Sequence, residues 1–357
     1  MEDLAVTETK DFWRGKRVLL TGHTGFKGSW LTLWLQRLGA QVTGISLAPA
    51  TNPSLFELAD LAKSMDSHFC DVRNDAALVK IIRQSHPDIV FHLAAQPLVR
   101  ASYRDPITTY ATNVMGTAHV LDALRGMDNT RVAVMVTTDK VYSNNEWGYP
   151  YRETDALGGY DPYSASKAAS EIVIASYRDA FLKQQGIAIA SARAGNVIGG
   201  GDWSEDRLIP DAVRAWQTAS TLEIRRPQAI RPWQHVLEPL FGYLNLAEKL
   251  WNQPELAGAY NFGPPSNEAA TVREVIELAR TAFGQGQIAF GEVNTGPHEA
   301  GLLSLETAKV REILSFGSKW NLAETIMRTM TWYRDQQHGA DARRLCEAEI
   351  TVYETLQ

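Results

Sequence analysis

Cysteine is scarce in this chain: two occur in 357 residues, Cys70 and Cys346, far apart and outside any metal-ligand spacing. That argues against a disulfide scaffold or a cysteine-based zinc site and suits a reducing compartment. Long apolar runs are missing too. No stretch approaches the ~20 residues a membrane helix needs, and Met1 to Gly15 carries mixed charge without the apolar segment of a signal peptide or anchor. Nor is there a basic surplus. The 35 Lys and Arg against 41 Asp and Glu leave a net charge of -6, so no overall field favours nucleic acid or an anionic membrane. Repeats and low-complexity tracts are absent as well. The remaining expectation is a cytoplasmic globular protein, and 45% hydrophobic with 21% charged residues is an ordinary balance for one.

What is present is a regular alternation. Five short β-branched runs, at 17–21, 41–46, 88–93, 131–137 and 187–193, are separated by segments of helical period. That is the pattern of βαβ units around a parallel sheet. Between the first two runs Leu31, Trp34, Leu35 and Leu38 recur at helical spacing, and Gly39 follows as a left-handed cap. After residue 195 the texture changes to a triple glycine, Gly199 to Gly201, and a stretch rich in Pro, Arg and Trp. The expected architecture is an α/β, Rossmann-type doubly wound parallel sheet over 1–195, rejoined by about 236–263. A smaller, mostly helical substrate domain is expected from 196–235 and 264–357.

Chemistry clusters at the carboxyl ends of the runs. Gly22-His23-Thr24-Gly25-Phe26-Lys27-Gly28 joins the first strand to the first helix without a gap. A helix N-terminus there presents free N–H groups and a positive dipole to a pyrophosphate, and glycine permits close approach. Gly22, Thr24, Gly25, Phe26 and Gly28 are therefore candidate dinucleotide contacts; the alternative is a tight turn needing glycine for packing alone. The second strand ends Gly44-Ile45-Ser46-Leu47, without the acidic residue that usually holds a ribose 2′-hydroxyl. Tyr163 and Lys167 stand four apart, on one face of a helix. An ammonium there, with a pyridinium nearby, favours the phenolate that can accept a hydroxyl proton. The fourth run ends in Thr138-Asp139-Lys140, where a parallel sheet binds its ligands. Arg207 and Arg231 are suited to phosphate oxygens, though either could pair with a carboxylate, and Asn196 offers an amide to a diphosphate or a sugar. Trp203 and Trp233 are candidates for the core as much as for base stacking. His298 lies in a stretch that could touch a ligand, and a lone histidine is more often structural.

In combination these motifs resemble the extended short-chain dehydrogenase superfamily, and within it the nucleotide-sugar 4,6-dehydratases. The GxxGxxG spacing and the Tyr163–Lys167 pair carry the first likeness. The threonine, aspartate and third ionisable group at 138–140 carry the second. Trp13 to Val18, Arg193 to Trp203 and Arg231 to Val236 look like the branch that acts on CDP-glucose.

The resemblance implies NAD as cofactor, with Asp71, Val72 and the turn Leu93-Ala94-Ala95 lining it; Asp71 as a helix cap, and that turn as helix-entry packing, are the plain alternatives. Gln96 is implied at the substrate, a CDP-linked hexose. Tyr163 would take the 4-hydroxyl proton, Thr138 would hydrogen-bond that oxygen and Asp139 would protonate the departing 6-hydroxyl. Lys140 stands where the dTDP-glucose branch has glutamate, as a carbon 5 base when neutral or as a charge that steadies an enolate. No metal is implied. A homodimer through the helix carrying Tyr163 is the family's habit.

Overall fold

The computed structural model describes residues 11–291 and 301–356. Seven strands form one sheet: β1 (Arg17–Thr21), β2 (Gln41–Ser46), β3 (Asp66–Phe69), β4 (Ile89–His92), β5 (Val132–Val136), β6 (Ala188–Ala194) and β7 (Ala259–Phe262). Their spatial order is β7-β6-β5-β4-β1-β2-β3, and every neighbouring pair is parallel. The order reverses beside β1, which opens a crevice at the carboxyl ends of β1 and β4.

Strand alternation makes the sheet two-faced. Val18 and Leu20 of β1 join one core with Val132, Val134 and Val136 of β5, covered by α1 (Phe26–Arg37) and α6 (Leu237–Asn252). Leu19, Val90, Ala133 and Met135 point the other way, under α2 (Asp75–Ser85), α3 (Gly116–Ala123) and α4 (Pro162–Tyr177). Helices on both faces are what a parallel sheet requires, because both faces are apolar.

Beyond β6 the chain leaves the sheet through Gly199–Gly201 to α5 (Leu208–Gln217), then returns with α6 and β7. The later helices are α7 (Val272–Phe283), α8 (Leu322–Gln337) and α9 (Ala342–Thr355). The outer region, expected to be mostly helical, also carries short strands. Thr221–Ile224 pairs in parallel with Gln287–Phe290, and Ile230–Arg231 pairs antiparallel with Ala270–Thr271. Within 264–357, α9 folds back on α1, where Trp34 Nε1 donates to Glu354 Oε1 at 3.0 Å and Tyr353 packs edge-on to Trp34. Burying that aromatic face is worth more than leaving α9 with the outer region. The glycine exit is equally constrained, since a Cβ on Gly200 would sit 2.1 Å from the Trp332 ring.

Candidate active site

A single cavity of about 1190 Å³ runs along the carboxyl ends of the strands and under the outer region. Its floor is the turn after β1. Gly22 has φ +79°, and a Cβ there would lie 2.7 Å from Ala94 N; one on Gly28 would lie 2.1 Å from Gly22 O. These glycines therefore let the turn close against β4 and α1, so the packing reading of the motif is correct as far as it goes. It is not the whole account. Gly25 is the N-cap of α1 and supplies no side-chain cap, so the first N–H groups of a 12-residue helix face the cavity. That end fits a pyrophosphate. At the far end of the turn Thr24 Oγ1 lies 2.7 Å from Ser46 Oγ and donates to Leu47 O at 2.9 Å, where a carboxylate would otherwise meet a ribose.

The second wall is the loop after β5. A short 3-10 turn, Asp139–Val141, follows Thr138. Thr138 Oγ1 donates to Asp139 Oδ1 at 3.0 Å, and Lys140 Nζ approaches the same oxygen at 3.3 Å. Asp139 is fully buried and its Oδ2 has no partner. Gly195 makes room for it, since a Cβ there would lie 3.2 Å from Oδ2.

Facing this loop, α4 begins at Pro162 with Asp161 as its cap, accepting from Ser164 N at 2.9 Å. Tyr163 and Lys167 project from one side of it, both buried and both lining the cavity. Lys167 Nζ donates to Val136 O at 3.3 Å. Burial pulls the Lys167 ammonium down to about 8, with Glu171 opposing. Burial also pushes the Tyr163 phenol up to about 12, reinforced by Asp139 and opposed by Thr138 and Arg207. Without a bound cation, desolvation of the phenolate wins, so the phenolate expected here needs the pyridinium as well as Lys167.

The third wall belongs to the outer region. Asn196 Oδ1 is buried without a partner and lines the cavity. Arg207 Nη1 holds Asp202 Oδ2 at 2.7 Å, and Arg231 Nη1 donates to Ile230 O at 2.8 Å and to Gly301 O at 3.2 Å. Trp203 and Trp233 are buried at the same wall.

The family model described as GDP-mannose 4,6 dehydratase matches residues 19–329. The chain belongs to this 4,6-dehydratase family. A relative from Salmonella typhimurium, CDP-glucose 4,6-dehydratase, is 45% identical over 350 residues, covering 96% of this chain and 98% of its own. The dTDP-glucose 4,6-dehydratase of Streptomyces antibioticus is 30% identical over 271 residues, covering 74% and 75%. Among solved structures, a UDP-glucose-4-epimerase from Stenotrophomonas maltophila with bound NAD superposes with a TM-score of 0.79 at 19% identity, covering 91% of this chain and all of that one. That likeness is one of fold.

Within this 4,6-dehydratase, most residues singled out from the sequence meet at one cavity. Gly22, Thr24, Gly25, Phe26, Gly28, Asp71, Val72, Leu93, Ala94, Ala95, Thr138, Asp139, Lys140, Tyr163, Lys167, Asn196, Arg207 and Arg231 all line it. Asp71 does not cap a helix, because Asn74 caps α2; its carboxylate instead takes the Arg73 guanidinium at 2.6 Å, which holds it below the usual range. Gln96 is placed differently from these. Its Nε2 donates to Thr109 Oγ1 at 2.9 Å and its Oε1 accepts from Leu98 N at 2.6 Å, so it braces the turn behind the cavity and does not line it. His298 lies outside the described residues.

Lys27 was missed. It is half-buried in the first turn of α1 and lines the cavity. Burial, then the Arg207 charge, pulls its ammonium down to about 7, with Asp139 opposing. The signal was available: a charged side chain inside a glycine turn stands where an anion is expected.

Proposed function

We propose that the chain converts CDP-glucose to CDP-4-dehydro-6-deoxyglucose and water, with NAD held along the glycine turn and regenerated in every turnover. The observation that carries this reading is Asp139, a buried carboxyl with one free oxygen, set between Lys140 and the Tyr163–Lys167 face in one cavity. An epimerase needs no acid at carbon 6; a dehydratase does.

The bound dinucleotide would supply a reversible acceptor for two electrons and one hydrogen, taken from carbon 4 and returned to carbon 6. The uncapped end of α1 and Thr24 would hold it, with Lys167 at its ribose. Everything else is proton management by this chain. Tyr163, made phenolate by the added positive charge, takes the 4-hydroxyl proton, and Thr138 steadies that oxygen. The 4-keto group acidifies carbon 5, whose proton passes to Lys140. Asp139 gives its proton to the departing 6-hydroxyl, which leaves as water.

The 3.3 Å contact of Lys140 and Asp139 makes this assignment self-consistent. One proton shared by the two groups reads as ammonium with carboxylate, or as amine with carboxylic acid. The second form is the base and acid that the elimination needs. Lys140 then reprotonates carbon 5, and the proton count closes once the 4-hydroxyl proton held by Tyr163 returns to Asp139, which gave one up to the departing water.

Arg231, Arg207 and Asn196 would receive the diphosphate and sugar, and the identity with the Salmonella relative supports cytosine as the base. A homodimer is supported by an apolar surface on and beside α4, where Ile107, Met115 and Ile172 are exposed. No helix of the described residues is long and apolar enough to cross a membrane, in keeping with a cytoplasmic biosynthetic role.

The test is turnover against CDP-, dTDP-, GDP- and UDP-glucose, followed by the alkali-induced 4-keto chromophore without net formation of reduced cofactor. Signal with CDP-glucose above the others is expected. A 4-epimer product without the keto signal would replace this reading with an epimerase.

A further inference from the structure

Behind the wall formed by β5 and α4 lies a buried ion pair that does not line the cavity. Glu171 stands one turn beyond Lys167 on the face of α4 that carries Tyr163, and Arg193 is the penultimate residue of β6. The two side chains are 4% and 3% exposed, with Nη2 of Arg193 at 2.8 Å from Oε2 of Glu171.

Two of their remaining bonds reach the catalytic loop. Glu171 Oε1 accepts from Thr137 Oγ1 at 2.5 Å, and Oε2 also accepts from Ser191 Oγ at 2.7 Å. Arg193 Nη1 donates to Tyr142 OH at 2.8 Å, and that hydroxyl donates to Asn261 Oδ1 at 2.6 Å. Thr137 and Tyr142 are the residues just before and just after the short turn that presents Thr138, Asp139 and Lys140. One ion pair thus grips both ends of that turn and ties it to α4 and β6.

We infer that Glu171 and Arg193 form a positioning clamp for the elimination at carbons 5 and 6, setting Asp139 and Lys140 while leaving the oxidation at carbon 4 to Tyr163 and Lys167. The inference rests on the dehydratase reading above. Its physical basis is the unequal support of the two halves. Tyr163 and Lys167 ride on a 16-residue helix packed against the sheet, and their register follows from helical geometry. Asp139 and Lys140 sit on a three-residue turn, with Asp139 Oδ2 unbonded and Lys140 partly exposed. A buried ion pair is weak as a source of stability, because desolvation offsets its attraction, but its geometry is exacting.

Glu171→Gln is the obvious variant and the less informative one, since Glu171 also supports the Lys167 charge. Thr137→Val and Tyr142→Phe each remove one tether, keep the side-chain shape and leave the ion pair in place. In single turnover of NAD-loaded protein with CDP-glucose in deuterated water, both variants are expected to slow carbon 5 exchange and water loss by about 10- to 100-fold, the cost of roughly an ångström of misplacement. Oxidation at carbon 4 takes only the Thr138 hydrogen bond from this turn and slows less, so reduced-cofactor absorbance accumulates above the wild-type level. Crystals of the substrate-free variants are expected to show the Asp139–Lys140 contact moved while the helix carrying Tyr163 superposes.

Proportional slowing of oxidation and elimination, with no build-up of reduced cofactor, would overturn the clamp and leave the dehydratase reading standing. A wild-type protein that makes no 4-keto product would overturn that reading and the clamp with it.

Discussion

The two sides of the cavity are built on different principles. On the sheet side, Asp139, Tyr163 and Lys167 are buried, with Asp139 bonded to Thr138 of its own loop and Lys167 to the Val136 carbonyl of β5. On the outer side, Arg207 and Arg231 are partly exposed, and each holds an oxygen of the protein itself: the Asp202 carboxylate for one, the Ile230 and Gly301 carbonyls for the other. The first side is ready before substrate arrives. The second exchanges one set of oxygens for another when a diphosphate binds. Substitutions on the sheet side should therefore fall on kcat, where reacting atoms are placed, and those on the outer side on KM, where charge is matched.

The strongest way to break this contrast is Tyr163→Phe. It removes the acceptor of the 4-hydroxyl proton and changes little else, so turnover should fall by at least ~10³-fold with the melting temperature preserved. Full activity in steady-state assays would sink the role given to that phenol. Next in size is Lys140→Met, expected to slow carbon 5 exchange by about 10²-fold while oxidation at carbon 4 proceeds. Exchange at the wild-type rate would leave Lys140 as a charge and not a base.

Smaller effects belong to the outer side. Arg231→Ala should raise KM for the nucleotide sugar by about 10- to 100-fold, in line with a charge-assisted phosphate contact, and change kcat by less than about 3-fold. Arg207→Ala should act the same way but less, because the Arg207 guanidinium already gives part of its charge to the Asp202 carboxylate at 2.7 Å. If either variant lost kcat with KM unchanged, the division of labour between the two walls would be wrong.

The contrast also marks what could be read in advance. The unit β1–glycine turn–α1 is legible because periodicity, glycine placement and the helix stop agree locally, although the helix starts at Phe26, inside the glycine motif. The Tyr163–Lys167 face is legible because helical spacing alone brings those groups together. The strand β3 is not, since Asp66–Phe69 is a half-exposed edge without apolar alternation. Nor is the pairing of Thr221–Ile224 with Gln287–Phe290, four-residue strands joined across a long separation. The bonding of Gln96 was not legible for a related reason: Thr109, which takes its amide, comes from a separate helical turn that no motif couples to it. Burial was the other blind spot. The rise of the Tyr163 phenol follows from three walls closing over it, and no spacing rule contains that information.

Lys27 offers the finest test, because its charge answers to both walls at once: burial and Arg207 depress it, while Asp139 supports it. Its ordinary value near 10.5 falls to about 7 in the folded protein, so the unfolded chain binds this proton more tightly. The cation therefore costs folding free energy, beginning as pH drops below 10.5 and reaching its full extent below about 7. Lys27→Met should accordingly raise the melting temperature of the ligand-free protein at neutral pH, by about 2–4 °C. The same change should weaken nucleotide binding at pH 6 by about 2- to 5-fold, the scale of a partly screened ion pair, and leave binding at pH 8 nearly unaltered because the wild-type amine is then largely neutral. Calorimetric titration of both proteins across that range would show the wild-type affinity declining with pH and the variant flat. Equal slopes would mean that the ammonium at position 27 does not face the bound anion.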